Sequence, residues 1–146
     1  GIAMGLISDG EAVLGMAERY KSDPEITDYS FIVFSFAKAY EGFLKKFLLD
    51  SGLIKEGEYY GDDLRIGRVL NPHYISQKGN IFSKICDRSK GGREFSTNLW
   101  RMWKRGRNTV FHYFPHNFRK LEYEEALKIS EELIEAMERT LNHCDV

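Results

Sequence analysis

Asp28-Tyr-Ser-Phe-Ile-Val-Phe-Ser-Phe-Ala-Lys-Ala-Tyr-Glu-Gly-Phe-Leu-Lys-Lys-Phe-Leu-Leu49 is the stretch on which the fold turns. Its first turns, rich in Phe, Ile and Val, read as a strand in isolation. Phe36, Tyr40, Phe43, Leu44, Phe47 and Leu48, however, recur at i, i+3 and i+4, and the pattern runs unbroken to Ser51-Gly52. That length favours a helix buried on more than one face, with Asp28 as its cap and its aromatic rings as core.

Upstream, Leu6, Val13, Leu14, Ala17 and Tyr20 share helical spacing and predict a short first helix over 5–20, closed by Lys21-Ser-Asp-Pro24. Downstream, Gly57, Gly61, Gly67, Pro72 and Gly79 punctuate a weaker signal from Ile54 to Asn80, which predicts a loop-rich connection with one or two short helices. A short segment begins at Ile81, Ile85 and Cys86. After Gly92 a stronger helix places Leu99, Met102 or Trp103, Gly106, Val110 and Phe114 on one face, and Pro115 ends it, so His112 falls in its last turn. The final segment sets Tyr123, Ala126, Leu127, Ser130, Leu133, Ile134, Met137 and Leu141 against a glutamate-rich face. It reads as an amphipathic helix of about five turns, with Asn117 a candidate cap. The sequence therefore predicts one all-α domain over 1–146.

Composition narrows the function classes. With 42% hydrophobic and 14% aromatic residues in 146, the chain can bury a core and is not a disordered protein. Its longest apolar stretch, Phe31–Ala37, is far short of the roughly 20 residues that span a bilayer, so no membrane partner is expected. The two cysteines, Cys86 and Cys144, lack metal-ligand spacing and suit a reducing, cytoplasmic setting. A start at Gly1 instead of Met reads as an excised piece of something longer.

The formal charge of -1 conceals a segregated chain. Between Lys84 and Lys120 ten basic residues stand against Asp87 and Glu94, whereas from Leu121 onward eight acids stand against Lys128 and Arg139. A positive zone of that density can hold phosphates, with Trp100, Trp103, Phe111, Tyr113 and Phe114 interleaved as stacking surfaces. The competing reading is a basic helix neutralised by an acidic one across a bundle, with both tryptophans in the core.

Within the basic zone lies Arg107-Asn108-Thr109-Val110-Phe111-His112. On a continuous helix Asn108 and His112 would sit one turn apart on one face, with Arg107 about 140° from His112. These residue types suit cleavage of RNA by its own 2′-hydroxyl. A neutral imidazole can take that proton, and a guanidinium can stabilise the oxygens of the crowded phosphate, with no metal or other cofactor required. Asn108 could orient the imidazole or contact phosphate, and a second copy of the helix could complete the site at a symmetric interface. The plainer alternative pairs Arg107 with a final-helix glutamate and lets His112 satisfy the last-turn carbonyls.

Arg107-Asn108-x-x-x-His112, on the penultimate major helix of an all-α domain, resembles the R-[polar]-x(3-5)-H motif of the HEPN superfamily, whose active members are metal-independent ribonucleases. The second helix, Phe31-Ile-Val-Phe34 followed by Ala37-Lys-Ala-Tyr-Glu-Gly-Phe-Leu-Lys-Lys46, is similar to the C-terminal domain of the RNase LS toxin family of toxin–antitoxin systems. The likeness runs from about Tyr29 to Leu141. It implies a HEPN-like bundle of four to six helices with a loop-rich middle, dimerised so that two motifs face one cleft. It also implies catalytic roles for Arg107 and His112, with Asn108 and Glu41 in support. Glu41 reads equally as half of an ordinary helix pair with Lys45. The implied substrate is single-stranded RNA, tracked by Arg101, Lys104, Arg105, Arg119 and Lys120; the implied partners are a second copy and an antitoxin or inhibitor protein. A catalytically silent module of the same fold is the alternative expectation. Where HEPN toxins silenced by a nucleotidyltransferase carry a tyrosine two residues after the histidine, this chain has Phe114, so that silencing is not implied.

Overall fold

The structure is a computed structural model that describes residues 1–21, 26–112 and 120–143. Seven α-helices and one 3-10 turn account for the regular structure of those residues, and no strand is present among them. Four helices are long: α1 (Ile2–Glu18), α2 (Ser30–Asp50), α6 (Gly92–Phe111) and α7 (Tyr123–His143). The middle of the chain forms α3 (Glu56–Tyr60), α4 (Ile66–Val69), a 3-10 turn at Pro72–Tyr74 and α5 (Phe82–Arg88). The all-α bundle expected from the sequence is therefore present, with more short helices than the four to six elements anticipated.

Helix α2 is the axis of the bundle. Ile32, Val33, Phe36, Ala39, Tyr40, Leu44 and Leu48 are all essentially sealed from solvent, on a stripe too wide for one neighbour to cover. Helix α1 runs antiparallel to it, with Gly10 against the Phe36 ring and the Tyr29 hydroxyl donating to the Tyr20 carbonyl. Helix α6 is also antiparallel to α2. Phe95 meets Phe47, the Tyr40 hydroxyl donates to the Leu99 carbonyl at 3.2 Å, Gly106 lies against Ala37, and Phe111 meets Phe34. Helix α7 runs parallel to α2 and adds Ala126, Ile129, Leu133 and Met137 to the same core. Ile66, Leu70, Ile81 and Ile85 from the middle segment join that cluster, so the loop-rich connection is anchored by its apolar residues.

Local chemistry sets the helix ends. Tyr29, not Asp28, is the N-cap of α2, but the Asp28 carboxylate still accepts from the Ser30 backbone N–H at 2.9 Å and from the Ser30 hydroxyl at 3.2 Å. The same carboxylate accepts from the Leu121 N–H at 3.1 Å, while the Tyr29 N–H donates to the Leu121 carbonyl at 2.9 Å. One acidic residue thus satisfies orphan donors at the start of α2 and stitches them to the approach to α7. The proposed cap at Asn117 lies outside the described residues, as do Pro115, Phe114 and Cys144. Two stripe residues are corrected: Tyr20 and Leu141 are exposed, because α1 has ended before the first and because on α7 the neighbouring Thr140 turns inward in place of the second.

The Gly10 contact gives a sharp test. A Cβ there would sit 2.7 Å from the buried Phe36 ring, whereas at Gly15 it would meet nothing within 4 Å. Gly10→Ala should destabilise the fold by about 1–2 kcal/mol despite the helix-propensity gain, and Gly15→Ala should stabilise it by up to about 1 kcal/mol, both read from urea midpoints. Burial also raises the Tyr40 phenol well above its ordinary range. Its folded pKa exceeds the unfolded one, so the unfolded chain releases its proton first. Stability should therefore fall as pH climbs past about 10, and Tyr40→Phe should flatten that decline in alkaline melts.

Candidate active site

Helix α6 divides its surface three ways. Ser96, Leu99 and Gly106 point into the bundle, while Arg101, Lys104, Arg105 and Asn108 recur at i, i+3, i+4 and i+7 along the exposed side. Between those two faces, Trp103, Arg107 and Phe111 repeat every four residues and stack over one another's turns. The Arg107 guanidinium lies 5.4 Å from the Trp103 ring centre and 6.0 Å from that of Phe111, within cation–π range of both.

This third face borders a groove of about 420 Å³ whose opposite wall is α2, through Phe34, Ala37, Lys38, Glu41 and Lys45, with Ile2 and Leu6 of α1 closing one side. Glu41 is half-buried in it. Its Oε2 accepts from the Trp103 indole N–H at 3.1 Å, and its Oε1 lies 3.4 Å from the Lys45 ammonium. The ordinary helix pair with Lys45 is thus present on one carboxylate oxygen, while the other is taken by Trp103, in the same groove that Arg107 lines. Lys38, Lys45 and Arg107 leave the groove with an excess of positive charge over Glu41, which favours an anion. A larger cleft of about 610 Å³ between α6 and α7 carries Glu94, Glu132 and Glu135 against Arg139 and would repel one.

The structure brings Glu41 and Arg107 to one wall-to-wall groove, and it does not bring Asn108 or His112 into its lining. Asn108 is about 100° around the helix from Arg107, on the exposed stripe. The placement of His112 in the last helical turn is corrected: α6 ends at Phe111, and His112 follows as its exposed C-cap with extended backbone, φ -107 and ψ 121. A proline four residues on cannot donate to the Phe111 carbonyl, and the run from Thr109 to Phe111 is β-branched and aromatic, so helix propagation is weak there. The angular relation of Arg107 to His112 read from a continuous helix therefore does not apply.

The plainer reading of the motif is corrected as well. The cross-helix pair to the final helix is made by Arg105, whose Nε lies 3.1 Å from Glu132 Oε2, and not by Arg107. Among the other expected RNA contacts, Arg101 and Lys104 are exposed, Lys120 is exposed and 3.2 Å from Glu122, and Arg119 lies outside the described residues. Trp100 and Trp103 stack at 5.3 Å and are half-buried against the core, so the core reading takes more of them than a base-stacking one. Phe111 is open, and Tyr113 and Phe114 lie outside the described residues.

Lys38 and Lys45 were not singled out by sequence reasoning as site residues, and Trp103 was read only as a stacking surface or a core ring, not as a partner of Glu41. Their signal was present as spacing: Trp103 precedes Arg107 by one turn, and Lys38 and Lys45 flank Glu41 at -3 and +4 on the same helix face. Among the described residues no three His, Cys, Asp or Glu side chains converge as a metal site, and no helix is long and apolar enough to cross a membrane. No family model, curated protein or solved structure matches the chain.

Gly67 of α4 supports the groove from behind, since a Cβ there would sit 2.8 Å from Cη2 of Trp103. Gly67→Ala should displace the indole, change the intrinsic tryptophan emission and destabilise the protein by about 1–3 kcal/mol in urea, with no substituted residue lining the groove.

Proposed function

We propose that this chain is a metal-independent endoribonuclease of the HEPN type, acting on single-stranded RNA at a site completed by a second copy of itself. The observation that carries the reading is the shared groove. Glu41, singled out only through the resemblance, and Arg107, the first residue of the motif, come from different helices and line the same anion-attracting depression.

In this reading a scissile phosphate approaches Arg107, whose guanidinium fork stabilises the charge that accumulates on the equatorial oxygens. His112 takes the proton of the adjacent 2′-hydroxyl as that oxygen attacks phosphorus. The bond to the 5′-oxygen breaks, the leaving oxygen takes up the proton held by the His112 imidazolium, and the products are a 2′,3′-cyclic phosphate and a 5′-hydroxyl. Atoms and charge balance without a co-reactant. Glu41 and Asn108 position the groups that act.

Because His112 and Asn108 stand outside the groove of their own chain, the reading needs a symmetric partner to unite them with Arg107 and Glu41. Phe34 and Phe111 meet edge-to-face at 5.9 Å on the rim, 41% and 58% exposed, beside Ile2 at 87%. An open apolar rim around a charged groove is the composition of an interface core awaiting its mate. Arg101 and Lys104 supply the outer electrostatic track, while Arg105 and Lys120 contribute by exchanging their carboxylate partners for phosphate. Unpaired strands can reach the in-line geometry that duplex RNA resists. A toxin role in the cytoplasm, held in check by an antitoxin, completes the proposal.

Cleavage of an end-labelled single-stranded RNA in EDTA tests it. The wild-type protein should leave cyclic phosphate ends, and Arg107→Ala and His112→Ala should each lose about 100-fold or more in rate. Binding without cutting by wild type and His112→Ala alike would replace the enzyme with a silent RNA-binding module.

A further inference from the structure

Two opposite charges line one groove and yet do not pair. Among the described residues no ion pair joins Glu41 to Arg107; the carboxylate is held by Trp103 and Lys45, and the guanidinium lies over Trp103 and Phe111. Glu41 is half-buried and Arg107 exposed on the lining of that groove, and a carboxylate within reach of a guanidinium can take both of its parallel N–H donors, a geometry among the strongest available to either group. Trp103 touches both. Its indole N–H occupies Glu41 Oε2, and its π-face takes the Arg107 guanidinium. The ring cannot drift, because Gly67 of α4 is packed against its six-membered edge and Trp100 is stacked beside it.

We infer that Trp103 is a positioning residue that keeps Glu41 and Arg107 apart, so that the Arg107 fork stays open for the phosphate of the bound RNA. The inference deepens the ribonuclease reading and rests on it for the identity of the anion. Its physical content is independent of that reading. An arginine stacked on an aromatic face keeps its in-plane N–H donors directed outward, whereas one clamped by a carboxylate presents them to the protein. Trp103 thus satisfies the acid with one donor and spends no charge doing so. Lys45 completes the arrangement on Oε1, leaving the carboxylate neutralised without recruiting Arg107.

The test separates pairing from binding. Solvent exchange of the Arg107 Nε–H, followed by nitrogen-edited NMR on the protein alone, should be fast in wild type and slow at least fivefold in Trp103→Leu, where the pair can close. Adding Glu41→Gln to Trp103→Leu should restore fast exchange, because a neutral amide cannot clamp a guanidinium as a salt bridge. Affinity for a 2′-O-methyl single-stranded RNA, which lacks the nucleophile, should follow the same pattern. Trp103→Leu should weaken binding about tenfold and lower the salt slope by about one phosphate contact, as Arg107→Ala does, and the double variant should return to within about twofold of Glu41→Gln.

A general packing defect would not be relieved by a change at Glu41, so loss of binding without that rescue overturns the inference, as does unchanged exchange in Trp103→Leu. If Trp103→Leu fails to fold, Trp103→Phe keeps the ring and removes the N–H, and a smaller slowing relieved by Glu41→Gln is the expected result. Rescue of exchange in a protein that cuts no RNA would retain the spacer and remove the ribonuclease. Cleavage without any exchange effect would do the reverse.

Discussion

The close approach of α6 to α2 at Gly106 and Ala37 is the constraint on which the rest of the molecule depends. A Cβ on Gly106 would come within 3.2 Å of the Ala37 methyl and 3.5 Å of both Leu133 methyls, so α2, α6 and α7 meet at a point with almost no side chain to spare. Helices separated only by small residues can bring long side chains on either side of the contact into mutual reach. One turn before Gly106 that reach is the Trp103–Glu41 hydrogen bond, and beyond it lie Arg107 and the Phe34–Phe111 contact. The groove is a consequence of the small-residue contact beside it, in the same way that a ridge on one helix finds the groove of another.

Charge is distributed to match. The near-neutral total conceals a basic α6 and an acidic α7, but the two do not simply cancel across their interface. Arg105 pairs with Glu132, while Arg101 and Lys104 remain on the exposed side. Exposed pairs such as Arg139 with Glu135 and Lys120 with Glu122 add little stability in water, and an arriving phosphate can compete for their cations. The stability of the bundle comes instead from the α2 stripe and its neighbours, which leaves Arg101 and Lys104 on the exposed side outside the core.

Much of the architecture was legible in the chain. The long helices follow from a 3.6-residue period sustained over many turns, which is local information, and the apolar stripe of α7 from Tyr123 to Met137 is buried nearly as its spacing foretold. Gly106 was on the anticipated inner face of α6. The middle segment was harder to read, since α3, α4 and α5 are too short for periodicity to declare them and are held by tertiary contacts of Ile66, Leu70, Ile81 and Ile85. Of the candidate site, the motif itself and the acidic residue opposite were nameable from sequence. The separation of Asn108 and His112 from Arg107 was not, because it depends on where α6 stops and which way each face turns.

By itself the sequence determined an all-helical chain, a hidden charge asymmetry and a short arginine–asparagine–histidine pattern, because propensity, periodicity and composition are properties of neighbouring residues. Only the tertiary structure decided that Arg107 stacks on Trp103 while Arg105 takes the glutamate of α7, that Glu41 shares its oxygens between Trp103 and Lys45, and that His112 stands beyond the helix. Those outcomes turn on the angle and depth at which α6 settles against α2, set by the small contact of Gly106 with Ala37, and on a helix end set by weak propagation before Pro115. Rotation by a single residue position, about 100°, would have exchanged the roles of Arg107 and Asn108.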